Sequence, residues 1–303
     1  MEAVEVDISA LLKAHHLWRV NGAHGKRAEV TGATLNDVDF RPGPWDRAIF
    51  DRSALIESNF SSCSLVGASF VQARLDRSSL TGADLSEANL TGAHLDFVVA
   101  TGLMLCDATL SRASLKDAKL DQVRLLDAIL EEADFSRVSM KGGAFNHARA
   151  GRTNFSEVMA DQTVWLNVRM PNARFIDASL VEAHFVGAQA QSCDFSRADL
   201  SNAVFTRAKL SRAIFYQANI SGGDFRDSDL ESADFSKAKL TESRFMGANL
   251  ARADFRGADL DRARDMTGDQ LGRARTDDRT ILPNGKRGPY LRFSGAERPV
   301  RVG

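Results

Sequence analysis

Cysteine is scarce in this 303-residue chain, with only Cys63, Cys106 and Cys193. They form no CxxC pair, so the sequence offers neither a thiolate metal knuckle nor a redox dithiol. GxxxxGK[ST], GxSxG and HExxH are also missing, which removes the motif-level signals for phosphate cradling, serine hydrolysis and zinc hydrolysis. No apolar run approaches the ~18 residues of a membrane-spanning helix. Neither charge sign dominates: 39 Lys and Arg stand against 40 Asp and Glu, a net charge of −1. The first residues, Met1 to Asp7, are acidic and lack the basic start and apolar core of a secretory signal, so the expected location is cytoplasmic.

What the chain does have is a beat of five. Phe195, Leu200, Phe205, Leu210, Phe215, Ile220, Phe225, Leu230, Phe235, Leu240, Phe245, Leu250, Phe255 and Leu260 are all large and apolar. Two positions before each sits a small residue, such as Ala198, Ala203, Ala208, Ala213, Gly223 and Ser228. A period of five fits neither a strand nor a helix. Two inward residues per five, with a bend in every unit, describe short extended segments wound into a coil, and coils stacked on coils make a solenoid. The register holds over 47 large positions from residue 30 to residue 260.

Units such as Ala83-Asp84-Leu85-Ser86-Glu87, Ala88-Asn89-Leu90-Thr91-Gly92, Ala198-Asp199-Leu200-Ser201-Asn202 and Ala248-Asn249-Leu250-Ala251-Arg252 resemble the A(D/N)LxX pattern of the pentapeptide-repeat family. The resemblance covers about three quarters of the chain. It implies an all-β solenoid, a right-handed quadrilateral β-helix with four repeats per coil and about twelve coils here. The corresponding division is an N-terminal capping helix over 1–25, the repeat β-helix over 26–262 and a C-terminal cap over 263–303, a short helix followed by an extended tail.

A twenty-residue period inside the chain agrees with four repeats per coil. From residue 135 the large position alternates, with Phe135, Phe155, Phe175, Phe195, Phe215, Phe235 and Phe255 in one series and Phe145, Trp165, Phe185, Phe205, Phe225 and Phe245 in the other. Aromatics then fill two opposite sides, with rings stacked at about the ~4.7–4.9 Å spacing of neighbouring strands. Earlier large positions are mostly Leu, so the two halves are expected to pack differently. Arg41-Pro42-Gly43-Pro44-Trp45 replaces two ladder donors by proline and predicts a loop or bulge. Ala100, Ala150, Ala160 and Ala190 leave room at large positions that Leu103, Val158, Thr163 and Val168 are placed to refill.

An open coil end needs covering. Residues 7–21 have helical spacing behind an Asp7 N-cap, with Leu11 and Trp18 expected over Val30 and Leu35. Thr267-Gly268-Asp269-Gln270 has capping-box spacing ahead of Leu271, which predicts a second short helix over the last coil. Tyr290–Phe293 and Pro299–Val302 read as two strand-like runs, either a hairpin packed on the coils or an arm gripping another copy.

The chemistry-bearing residues are scattered. His94, His147 and His184 occupy outward positions, and the recurrent aspartates precede the large residue, where their role is to hydrogen-bond turn backbone. Cys63 and Cys193 take small inward positions many coils apart, beyond the ~7 Å Cα separation of a disulfide, and Cys106 stands alone. Three free thiols, no metal, no cofactor and no catalytic residue are expected. Charge is banded: residues 76–135 carry 11 acidic and 5 basic side chains, 136–222 carry 6 and 10, and 263–303 carry 5 and 9. The basic band lacks a set of outward aromatics to stack bases, so direct nucleic-acid binding is not expected. The leading expectation is a non-enzymatic scaffold that docks a protein partner, with a homodimer through a terminal cap as one form. The family resemblance implies an alternative, a DNA mimic that binds DNA gyrase. Two features depart from it: residues 26–262 carry 32 acidic and 28 basic side chains, and the tail is basic.

Overall fold

A computed structural model describes residues 7–22, 24–41 and 43–299. The molecule separates into two compact units, Met1–Arg149 and Ala150–Gly303.

Both units are built from the same five-residue step, and the step explains itself by where its amides go. In the repeat ending at Gly67, the Cys63 N–H closes a turn onto the Phe60 carbonyl at 3.0 Å, and Ser64 donates to Gly43 at 3.2 Å. Leu65 donates to Asp84 at 2.7 Å and Gly67 to Ser86 at 2.8 Å. The remaining amide, Val66, donates to Asp46 Oδ1 at 3.1 Å. All five donors are used, as a backbone largely removed from water requires. The residue two after the large one has positive φ, for example 65° at Gly67 and 57° at Asp107. That bend returns the next small residue to the interior.

In unit 1, parallel bridges run from Glu29–Ile49 in steps of five to Ile129–Arg149, always between residues twenty apart. Twenty residues are four repeats, so four sides make one coil. Each bridge stands alone, and among the described residues no extended run is long enough to form a strand; the sheet character is one residue per side. Helix α1, Ile8–Val20, has Asp7 as N-cap and Asn21 as C-cap. Gly25 brings the chain back across α1: a Cβ there would lie against the Trp18 amide nitrogen and 2.5 Å from the Ala14 carbonyl oxygen. Lys26 N–H then donates to that carbonyl at 3.1 Å.

The expected bulge at 41–45 is corrected. Asp39 pairs with Asn59 and Pro44 with Ser64 in the same twenty-residue register, and Trp45 is fully buried with its N–H on the Ser64 carbonyl at 2.7 Å. Pro44 is tolerated because an amide at that position donates backward by twenty-one residues, and the first coil has no earlier coil to receive it. Pro42 lies outside the described residues. Unit 1 also holds an aromatic cluster beyond the expected series. Phe40 stacks on Phe60 at 4.2 Å and Phe50 on Phe70 at 4.9 Å, with edge-on contacts between the two pairs.

In unit 2, bridges twenty apart run from Asn154–Arg174 to Arg244–Arg264. The ladder continues where the sequence beat stops: Asp254 pairs with Arg275 and Asp259 with Ile281. Those separations of 21 and 22 residues leave room for α2, Gly268–Arg273, whose Thr267–Gln270 capping box is complete. Ile281 also pairs antiparallel with Arg287 around Gly285, whose φ is 78°. The strand-like reading of Tyr290–Phe293 is corrected: the segment is a turn, with Ser294 N–H on the Leu291 carbonyl and Phe293 at φ 66°. Val300 to Val302 lie outside the described residues.

Candidate interaction surfaces

Among the described residues the large inward side chains fill the interior of each unit. Phe135 and Phe145 in unit 1 are fully buried, as are Phe155, Trp165, Phe175, Phe185, Phe195, Phe205, Phe215, Phe225, Phe235, Phe245 and Phe255 in unit 2. In unit 2 the rings of one series are nearly parallel, for instance Phe195–Phe215 at 5.1 Å and Phe215–Phe235 at 4.8 Å. Rings of the two series meet edge-on, as at Phe205–Phe215 and Phe215–Phe225. Where alanine takes a large position the neighbouring bulk is buried: Leu103, Val158, Thr163 and Val168 are all inaccessible. Thr163 donates to the Ala160 carbonyl at 2.6 Å and accepts from Trp165 Nε1 at 2.8 Å, so its hydroxyl is satisfied in the apolar interior.

Of the expected end-covering residues, Leu271 is buried and Leu11 and Trp18 are half-buried. The fully buried side chain of α1 is His15, whose ring lies 6.0 Å from that of Trp45. In unit 2, Gln270 Nε2 donates to the Phe245 and Ala248 carbonyls at 2.9 and 2.8 Å, satisfying backbone acceptors beneath α2.

The carboxylates serve the turns in two ways. Asp84, Asp134, Asp194, Asp199, Asp234 and Asp254 each accept from the amide two residues on. Asp46, Asp51, Asp96, Asp121 and Asp161 instead accept from an amide one coil further, twenty residues on. Charges at the corners pair across coils at the same offset, as in Arg112–Glu132, Arg137–Asp117, Arg197–Asp177 and Arg262–Glu242. The Arg137 and Arg197 guanidiniums hold Asp117 and Asp177 below the usual carboxylate range.

In the acidic run at 76–135 the carboxylates have different surroundings. Most of its carboxylates are turn acceptors or ion-pair partners. The exception is one corner row, Glu87, Asp107 and Asp127, exposed on successive coils. Among the described residues none of these three has an ion-pair partner. Half a coil away, another corner of unit 1 exposes Phe97 (51%) and Val99 (43%), with the Arg77 guanidinium 5.8 Å from the Phe97 ring centroid. The groove there, about 460 Å³, is lined by Ile56, Arg74, Asp76, Arg77, His94, Asp96 and Phe97. Unit 2 exposes Met159, Ile214 and Met246 on its coils, and Leu291 and Phe293 in the turn after α2.

Among the described residues no three His, Cys, Asp or Glu side chains are placed to hold a metal ion, and His94, His147 and His184 are separately exposed. Cys63, Cys106 and Cys193 are free thiols. Burial pushes the Cys193 thiol up to about 12 and raises that of Cys63. No helix among the described residues is long and apolar enough to cross a membrane.

No curated protein sequence matches the chain. Three solved pentapeptide-repeat structures are similar to it. HetL, involved in heterocyst differentiation regulation in the cyanobacterium Nostoc sp. strain PCC 7120, is 23% identical, with 89% of this chain and 97% of that one covered and a TM-score of 0.34. Full-length QnrB1, a plasmid-mediated fluoroquinolone resistance protein, is 17% identical over 83% of this chain and 92% of its own, with a TM-score of 0.20. A protein of the Arabidopsis thaliana thylakoid lumen is 23% identical over 48% and 81%, with a TM-score of 0.21. The family described as "Pentapeptide repeats (8 copies)" matches residues 53–96, 88–125, 108–143 and 167–197, and that described as "Pentapeptide repeat region" matches 188–264. With these matches over more than half its length, and four five-residue steps to each coil, the chain belongs to the pentapeptide-repeat family.

Proposed function

We propose that the protein is a non-enzymatic scaffold that docks a protein partner on its outward side-chain rows. The observation that carries this reading is the exposed Phe97–Val99 pair beside Arg77, at the mouth of the 460 Å³ groove. Phe97 occupies a corner position with φ 62°, where the other residues of its row are charged, so an aromatic there is costly in water and serves nothing internal. An Arg beside an exposed aromatic is the composition of an interface anchor. Each unit is read as winding in the family's right-handed sense, with α1 and the segment after residue 263 covering the exposed ends, and the protein as working in the cytoplasm.

The test is affinity capture from native lysate with quantitative mass spectrometry, comparing the wild type with Phe97→Asp and with Met246→Asp as a control in unit 2. The reading requires a partner retained by wild type and control and lost by Phe97→Asp. A capture profile that is the same for all three sinks it. DNA gyrase, the alternative raised by the family resemblance, asks for a strongly acidic surface; here most corner rows mix both signs, and the segment after residue 263 is basic. A supercoiling assay with neither inhibition nor protection removes that alternative.

A further inference from the structure

We propose that His15 is a proton-sensitive latch, whose protonation releases α1 from the first coil while the remaining coils of unit 1 stay folded. The side chain joins three parts of the N-terminal end. It belongs to α1, its ring stacks on Trp18 (5.4 Å, 23°) and on Trp45 of the first coil (6.0 Å, 16°), and its Nδ1 accepts the Ala28 N–H at 3.0 Å. That hydrogen bond assigns the neutral tautomer, with the lone pair on Nδ1 and the proton on Nε2. The ring is completely buried, and among the described residues no acceptor lies within hydrogen-bond geometry of Nε2, although the Asp46 backbone faces the ring.

A second proton can go only to Nδ1, where it faces the Ala28 N–H. Two donors then point at each other, and the ring carries a charge with no water around it. The charged groups facing it are Arg19 from α1, Arg27 from the connector and Asp46 from the first coil, the last also ion-paired to Arg19. Burial lowers the imidazole pKa from its ordinary 6.5; the Asp46 backbone opposes this, Arg19 and Arg27 add to it, and the net shift is downward. The Trp faces offer an imidazolium some cation–π attraction, but the Arg27 guanidinium already sits 5.9 Å from the Trp18 ring centroid.

Release is local because the two sides of the latch differ in support. A thirteen-residue helix is marginal on its own. Its other ties to the coil are the Lys26–Ala14 backbone bond, the close pass at Gly25 and the Arg19–Asp46 pair. The coils keep their own ladders. Opening uncovers Trp45 and the outer edge of the first coil, a surface able to pair with other chains. Because the docked form binds the proton more weakly than the open form, the stability of docking is at its full value above the ordinary 6.5 and weakens as pH falls below it. Uptake of one proton raises the opening constant by up to ~tenfold per pH unit in that range.

The test is hydrogen–deuterium exchange of the full chain at pH 7.5 and 5.5, corrected for intrinsic rates. It compares the wild type with His15→Gln, whose amide oxygen still accepts from Ala28 but does not titrate; the exposed His16 and His24 are left in place in both. The expected result is a several-fold gain in opening of residues 8–20 and of the Ala28 amide at pH 5.5 in the wild type. The gain is absent in His15→Gln, and the coils after residue 50 are unchanged in both. Equal α1 protection at the two pH values overturns the proposal, as does the same acid response in His15→Gln or a loss of protection spread over all of unit 1. If His15→Gln leaves α1 undocked at pH 7.5, ring-proton NMR of the wild type decides: a His15 pKa below 6.5 supports the latch, and one at or above it overturns the proposal.

Discussion

Phe215 allows a quantitative test of what the aromatic series contributes. Its ring is fully buried and meets four others: Phe195 and Phe235 face to face at 5.1 and 4.8 Å, Phe205 and Phe225 edge-on at 5.8 and 5.9 Å. Phe215→Leu keeps an apolar side chain on the same backbone but removes all four ring geometries. Aromatic pairs contribute about 0.5–1.5 kcal/mol each beyond their buried area. The four share one ring and are not additive, so the expected loss is about 2 kcal/mol. Phe215→Ala adds an unfilled cavity between tight coils and should cost about 3–5 kcal/mol. Leu210→Met, on the neighbouring side of the coil, preserves volume and should cost less than about 1.5 kcal/mol. Urea denaturation followed by far-UV circular dichroism gives the stabilities, and hydrogen exchange shows whether the loss centres on the coils next to Phe215, as expected where each repeat touches only its neighbours. A Phe215→Leu cost no larger than that of Leu210→Met would refute the stacking argument and leave plain burial as the explanation.

Other outcomes follow from single contacts. Asp107→Gly should stabilise the protein by about 1 kcal/mol in thermal melts, because it relieves a left-handed backbone and removes the middle charge of the Glu87–Asp107–Asp127 row. Asp107→Ala should not share the full gain, and equal effects would disprove the backbone account. A colorimetric thiol assay at pH 8 should find one reactive thiol in the native protein, half-buried Cys106, and three in denaturant, since burial raises the Cys63 thiol and lifts Cys193 to about 12. Asp277 is raised by burial but lowered further by the Gly257 amide, Arg279 and Thr280, ending at about 2. Its stabilisation of the segment after α2 is therefore full above the ordinary carboxylate pKa and lost as pH falls toward 2. Asp277→Asn should remove that acid-dependent component in exchange measurements, and an unchanged acid profile would count against it. Gly25→Ala should strip exchange protection from α1 while leaving the coils intact, because the added methyl meets backbone atoms of α1.

Much of the fold was legible because a five-residue beat has few physical solutions. The inward positions, the twenty-residue aromatic series and the Thr267 capping box could all be read along the chain. The Phe40–Phe60 and Phe50–Phe70 pairs carried the same spacing but were hidden among the leucines that fill most of that half. Pro44 looked like a break because proline removes a donor; only its place on the first coil shows that the donor had nowhere to go. Tyr290–Phe293 had strand composition without a neighbouring edge, and the chain turns there instead. The acidic run at 76–135 was legible as a count, but not which of its carboxylates hold turn amides or pair with a base and which, like Asp107, stand free of an ion pair.

The amino-acid order alone determined which side chains face inward, because alternation between a small residue, a large one and a bend leaves the backbone one way to bury its apolar share. Which outward groups become neighbours was decided only in three dimensions. Side chains twenty residues apart meet because four repeats close a coil, so pairs such as Arg197 and Asp177, the unpaired row through Asp107 and the exposed corner at Phe97 exist only once the coils are stacked. His15 is the sharpest case: its burial between Trp18 and Trp45 depends on how α1 docks, which no local pattern specifies.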